Sequence, residues 1–104
     1  MPKILRLMAD YHCFPLWKPG SGEYYVGPDG LPLSDGLKAT LQTWADVYDR
    51  TLNEDYPPDS RFSSPTEEEA FETEGRRLWQ ALKNELGEGY KVLYYSIRDG
   101  KLYE

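Results

Sequence analysis

The stretch Ile4-Leu5-Arg6-Leu7-Met8-Ala9 is the densest apolar run in the chain, and the segment behind it, Asp10-Tyr11-His12-Cys13-Phe14-Pro15-Leu16-Trp17, holds the only histidine and the only cysteine. The run is far shorter than the roughly 20 residues a bilayer demands, so the rest of the protein has to cover it. Nearly continuous apolar residues, broken only by Arg6, predict a strand over Lys3–Ala9, buried on both faces and central in its sheet. Pro2 and the short length argue against a buried helix. Pro15 removes a ladder donor and predicts an irregular or edge strand over Asp10–Trp17.

Two segments have the pattern needed to cover such a strand. Ser34 is a good N-cap and Asp35 suits the positive end of a helix. Leu37, Leu41, Trp44, Ala45, Tyr48 and Leu52 then draw one stripe at helical spacing, ending near Asn53 before Tyr56-Pro57-Pro58. After a loop over Glu54–Ser63, the second helix opens with Ser64 as N-cap, Pro65 at N1 and Glu67 at N3, a capping box. Phe71, Leu78, Leu82 and Leu86 recur on one face with Trp79 beside them. Gly75 occupies that face too, which costs about 1 kcal/mol against alanine and implies close approach by the first helix or the sheet. Gly87 is the natural residue just past the helix end.

Tyr90–Ile97, β-branched and aromatic, reads as the last long strand, and Asp99-Gly100 turns it into a hairpin through Leu102-Tyr103. Shorter signals lie between: a turn at Lys18-Pro19-Gly20-Ser21-Gly22, a short strand at Glu23–Val26 and a second turn at Gly27-Pro28-Asp29-Gly30. The expected fold class is α+β: a small mixed or antiparallel sheet with two amphipathic helices packed on one face. A length of 104 residues makes residues 1–104 a single α+β domain.

One cysteine excludes an internal disulfide and fits a reducing compartment. With no signal-peptide pattern at the N-terminus, the expectation is a cytoplasmic protein. The net charge of −6 disfavours a nucleic-acid binder, which needs a basic face, and adhesion to an anionic membrane. It permits a basic protein partner.

Catalytic chemistry finds little support. His12 and Cys13 are adjacent, so on a strand their side chains face opposite ways, and no second histidine exists. One histidine and one cysteine do not close a metal tetrahedron. The glycine segments lack the phosphate-loop pattern and its lysine, so no cofactor is expected. Asp10 is the best placed single carboxylate. With Tyr11, His12 and Trp17 it defines an alternative reading: a small enzyme or ligand-binding domain with a pocket near the end of the first strand.

Charge says more. From Asp46 to Glu74 there are ten acids against two bases, Arg50 and Arg61, a net −8, so the other residues sum to +2. The end of one helix, the loop and the start of the next fall together at one end of a helical hairpin. Such a segment is either a solvated face or a docking surface for a basic partner. The docking reading names Asp46, Asp49, Glu54, Asp55, Tyr56, Asp59, Glu67, Glu68 and Glu72 as partner-binding residues, with Tyr48, Tyr56 and Phe62 as anchors.

The opening Leu5-Arg6-Leu7-Met8-Ala9-Asp10-Tyr11, with Cys13 and Pro15-Leu16-Trp17, resembles that of a family of small bacterial proteins. Leu31-Pro32-Leu33-Ser34, Trp44-Ala45, Tyr48-Asp49, Tyr56-Pro57-Pro58-Asp59 and Gly75-Arg76-Arg77-Leu78-Trp79 extend the resemblance over nearly the whole chain. Small acidic proteins of this kind look like immunity proteins, which neutralise a cognate toxin in the producing cell. The resemblance implies a non-enzymatic inhibitor that blocks a basic toxin domain, such as a nuclease. Besides the pocket reading, a structural accessory subunit with a permanent partner is the remaining alternative.

Overall fold

The computed structural model describes residues 3–18, 24–25, 27, 31–52, 55–56 and 61–104. The expected turns at 19–22 and 28–30 and the ends of the Glu23–Val26 strand lie outside the described residues, as do Glu54 and Asp59. The elements are β1 (Lys3–Leu7), β2 (Leu16–Lys18), β3 (Tyr24–Tyr25), α1 (Asp35–Asp49), α2 (Pro65–Leu86), β4 (Tyr90–Ser96) and β5 (Lys101–Tyr103). A single turn of 3-10 helix, Gly87–Gly89, joins α2 to β4.

The sheet is mixed, in the order β3-β2-β1-β4-β5. The first strand is central, as its apolar run predicts. It pairs antiparallel with β2 and parallel with β4, with Leu5 opposite Val92 and Leu7 opposite Tyr94. The two helices lie in the connection from β3 to β4, which returns the chain parallel to β1 on the side away from β2. A parallel pair requires such a long crossover.

One face of the sheet carries the core. Leu5, Leu7, Leu16, Val92 and Tyr94 are buried against Leu37, Leu41 and Trp44 of α1 and Phe71, Leu78 and Leu82 of α2. The other face is not covered in the same way, which corrects the expectation of a strand buried on both sides. Ile4 in β1 is 48% exposed and Leu102 in β5 is 49% exposed. Period-2 alternation places both on the side opposite the helices. The apolar run of β1 therefore reflects its central position and not a second covering layer. Nor is β2 an edge: β3 pairs outside it. Pro15 sits just before that strand, and its carbonyl accepts the Met8 N–H at 2.9 Å.

Helix ends follow local chemistry. Ser34 Oγ accepts the Leu37 N–H and Ser64 Oγ accepts the Glu67 N–H, both at 3.2 Å. Pro65 opens α2, and Gly87 closes it at φ +66°, where a side chain would be strained. The first helix stops at Asp49, short of the expected Asn53. There the Thr51 and Leu52 N–H groups bond back to the carbonyls of Tyr48 and Asp49, three-residue closures that tighten and end a helix.

Gly75 is the contact its position implied. A Cβ there would stand 2.6 Å from the Tyr94 hydroxyl and 2.8 Å from the Trp44 ring. The missing side chain lets α2 approach helix and strand together. Both indoles of this layer are satisfied: Trp44 Nε1 donates to the Phe71 carbonyl at 3.0 Å and Trp79 Nε1 to the Val92 carbonyl at 2.7 Å. Buried donors without such partners would cost stability.

Candidate functional site

The acidic segment gathers where α1 ends and α2 begins, as the hairpin geometry requires. The segment Asp10–Cys13 packs against it. Tyr11 stacks on Tyr48 with centroids 4.6 Å apart. The Tyr11 hydroxyl lies 2.9 Å from Thr51 Oγ1, and because Thr51 itself donates to the Tyr48 carbonyl, the phenol is the donor. Asp49 accepts the His12 N–H at 3.0 Å, and Asp10 accepts the Tyr11 N–H at 2.8 Å. His12 adopts φ +62°, a left-handed conformation uncommon outside glycine. The bond to Asp49 holds it there.

These contacts decide the chemistry of the segment. Burial, then the carboxylates of Asp10 and Asp49, push the Cys13 thiol pKa up, away from the thiolate a nucleophile needs. Burial, then the neighbouring Tyr11 phenol, push Tyr48 up as well. Of the pocket residues read from the sequence, Asp10, Tyr11 and His12 come together. Trp17 does not join them: it lies on β2, and its Nε1 donates to the Met8 carbonyl at 3.0 Å. Of the backbone donors of this segment, the His12 N–H fixes it to α1, while the Tyr11 and Cys13 N–H groups bond back to the side chain and carbonyl of Asp10. Among the described residues no three of His, Cys, Asp and Glu stand close enough to hold a metal ion.

The named partner-binding residues divide. Asp46 and Asp55 are exposed, and Tyr56 is 61% exposed. Asp46 accepts from Gln42 Nε2 at 3.0 Å within the helix. Asp49 is half-buried and committed to His12. Glu67 is exposed and its carboxylate takes the Ser63 hydroxyl. Glu68 is half-buried one residue on.

Glu72 must be removed from that surface. Only 3% of it is exposed. Its Oε1 accepts from Ser96 Oγ at 2.8 Å and from the Tyr94 hydroxyl at 3.1 Å, and its Oε2 accepts from Arg76 Nε at 2.8 Å. Arg76 continues to Asp99 at 3.4 Å, and Asp99 takes the Tyr103 hydroxyl at 2.8 Å. Three donors satisfy a carboxylate that would otherwise be costly to bury. The group fastens α2 to the β4–β5 hairpin. A signal for this existed: Trp79, beside the apolar stripe, lies seven residues on from Glu72, so both share one flank of the helix.

Sequence reasoning missed the hollow between the helices. A cavity of about 570 Å³ opens there, with Trp44, Val47, Phe62 and Phe71 among its lining residues and Arg50, Arg61, Glu67 and Glu74 also on its walls. It lies within the acidic segment, yet the segment's two bases line it. Trp44 and Phe71 stack at 4.4 Å, and Phe62 packs on Phe71 at 5.1 Å.

Fold and surface together define a two-layer α+β protein whose acidic segment and an interhelical hollow lie at the loop end of its helical hairpin. A family model described as Serratia CdiI immunity protein-like matches residues 3–97. The chain belongs to that family, whose class of function is toxin inhibition. No curated protein matches the chain. Among the described residues no helix is long and apolar enough to cross a membrane.

Proposed function

We propose that the chain is an immunity protein that binds a cognate toxin of basic character, such as a nuclease domain, at the acidic end of the α1–α2 hairpin. The mechanism is occlusion: the inhibitor covers the toxin and performs no chemistry of its own, in the cytoplasm of the producing cell. The reading also excludes nucleic acid and membrane as partners. The observation that carries it is the segregation of charge, ten acids against two bases between Asp46 and Glu74 in a chain whose other residues sum to +2. Asp46, Asp49, Asp55, Tyr56, Glu67 and Glu68 are the described members of the surface; Glu54 and Asp59 belong to it by sequence. Exposed charges of one sign speed the encounter with an opposite partner, and salt screens them over about 8 Å at physiological ionic strength.

The test is the association rate with the purified toxin domain encoded beside this chain's gene. The on-rate should fall as salt rises. Reversing Asp46, Asp55 and Glu68 to Lys together should lower it by at least about tenfold at low salt, a typical scale for steering. A parent protein that does not bind that toxin refutes the function. An on-rate for the triple variant equal to the parent's at both low and physiological salt leaves the acidic segment as a solvated face.

A further inference from the structure

We infer that the hollow between α1 and α2 receives an apolar side chain of the toxin, and that a carboxylate next to that side chain pairs with Arg50. This rests on the toxin-binding reading and names the part of the surface that holds the toxin once it has arrived.

The floor is apolar and closed to hydrogen bonding. Trp44 is 3% exposed and Phe71 5%, and the only polar atom of the Trp44 side chain already donates to the Phe71 carbonyl. An occupant bringing a polar group to that floor would leave the group unsatisfied. A volume of about 570 Å³ lies within the roughly 300–1,000 Å³ range of ligand pockets, ample for one large side chain and its neighbours.

The wall then selects the charge of the occupant. Of the carboxylates on it, Glu74 is paired with Arg77, while Glu67 takes only the neutral Ser63 hydroxyl and keeps its charge for the basic surround of the partner. The hydroxyls of Thr40 and Thr43 donate to the carbonyls of Gly36 and Ala39. Arg61 is engaged. Arg50 is exposed at the C-cap of α1, and among the described residues nothing pairs with its guanidinium. A free cation beside an apolar floor calls for an apolar group flanked by an anion. The partner's surface should thus show the reverse pattern of this one: basic around, with an apolar and acidic centre. Central contacts shielded from water carry most of the binding energy at interfaces, while rim charges set the encounter rate.

The sign of one substitution separates this from steering alone. Arg50→Glu makes the acidic end more negative, so steering by itself predicts an on-rate toward a basic toxin that is unchanged or faster. Insertion beside Arg50 predicts an affinity at least about tenfold weaker, expressed in the off-rate, because a buried charge would face a like charge. Ala70→Trp is the second variant. Ala70 is an exposed residue of α2 that lines the hollow, so the indole fills the hollow without entering the core. It too should weaken binding by at least about tenfold. Both variants are measured by surface plasmon resonance against the toxin domain named above, after circular dichroism and urea unfolding match the parent. If the parent binds and both variants bind as tightly, the insertion is refuted and the toxin reading stands. If the parent itself does not bind, the toxin reading falls and takes the insertion with it. If Ala70→Trp weakens binding while Arg50→Glu does not, the carboxylate partner is refuted.

Discussion

Gly75→Ala should destabilise the protein, although alanine is the better helix former. The gain from propensity is about 1 kcal/mol. Against it stands a Cβ that would meet the Tyr94 hydroxyl at 2.6 Å and the Trp44 ring at 2.8 Å. Neither neighbour has room to yield. Tyr94 is fully buried, at 0% exposure, with its hydroxyl bonded to Glu72. Trp44 is fixed by its bond to the Phe71 carbonyl and its stack on that ring. Overpacking of this kind costs about 1–3 kcal/mol, and loss of the Tyr94–Glu72 bond adds roughly 1 more. The net loss is about 1–3 kcal/mol once propensity is credited. With urea slopes of about 1–3 kcal/mol/M for small proteins, the unfolding midpoint should fall by roughly 1 M. Gly36→Ala is the control: nothing lies within 4 Å of a Cβ there, so that variant should be neutral or gain up to about 1 kcal/mol. A Gly75→Ala midpoint at or above the parent's would show that α2 shifts freely, and the close-packed account of this layer would be wrong.

Four further outcomes follow from the contacts. Glu72→Gln keeps the volume but turns a donor toward Arg76 or the two hydroxyls, and should cost about 1–3 kcal/mol in urea unfolding. Glu85 has its pKa lowered by bonds from the Ser34 backbone N–H and the Ser34 hydroxyl. A depressed folded pKa stabilises above the unfolded value near 4.3 and is lost as pH falls through the folded one. Hence Glu85→Gln should unfold at lower urea than the parent at pH 7, with the gap closing progressively below about pH 4. Cys13, its thiol pKa raised, should react with iodoacetamide at pH 7.5 more slowly than a free cysteine, and Cys13→Ser should leave toxin affinity within a few-fold of the parent's.

Much of this fold was legible because its signals are local. Ser34, Ser64 with Pro65, and Gly87 each mark a helix end by chemistry within a few residues, and each stands where the sequence places it. The 3.6-residue stripes from Leu37 and Phe71 identify the buried faces. The burial of Glu72 had only a weak local signal, its place on the Trp79 flank of α2, and was fixed by tertiary partners: Tyr94 and Ser96, 22 and 24 residues away, supply the donors. The apolar run of β1 misled in another way, since central position and two-sided burial leave the same trace. The hollow had no sequence signal, because it arises from the spacing of two helices and not from any one segment. That Arg50 and Arg61 were the sole bases of the acidic segment was visible; that both line one cavity was not.

The end of α1 and the start of α2 are held in place before any partner arrives, and this bears on how an inhibitor of the proposed kind would work. The end of α1 is fixed by the Tyr11 stack on Tyr48 and by the His12 N–H on Asp49. The start of α2 is fixed by the Ser64 cap, and the Trp44 bond to the Phe71 carbonyl ties it to α1. Side chains already ordered lose little entropy on binding, at a saving of roughly 0.5–1.5 kcal/mol for each that need not be immobilised. Such a surface separates two tasks that a single patch of charge would confuse. On the proposed reading, the exposed acids would act over the distance of a Debye length and set how often the toxin arrives. The Trp44–Phe71 floor and Arg50 would act only at contact and set how long it stays. Salt should therefore move the on-rate of the parent and of Ala70→Trp alike, while filling the hollow moves the off-rate at every salt concentration. An off-rate of Ala70→Trp that differs from the parent's only at low salt would assign the hollow to the electrostatic rim and remove the distinction.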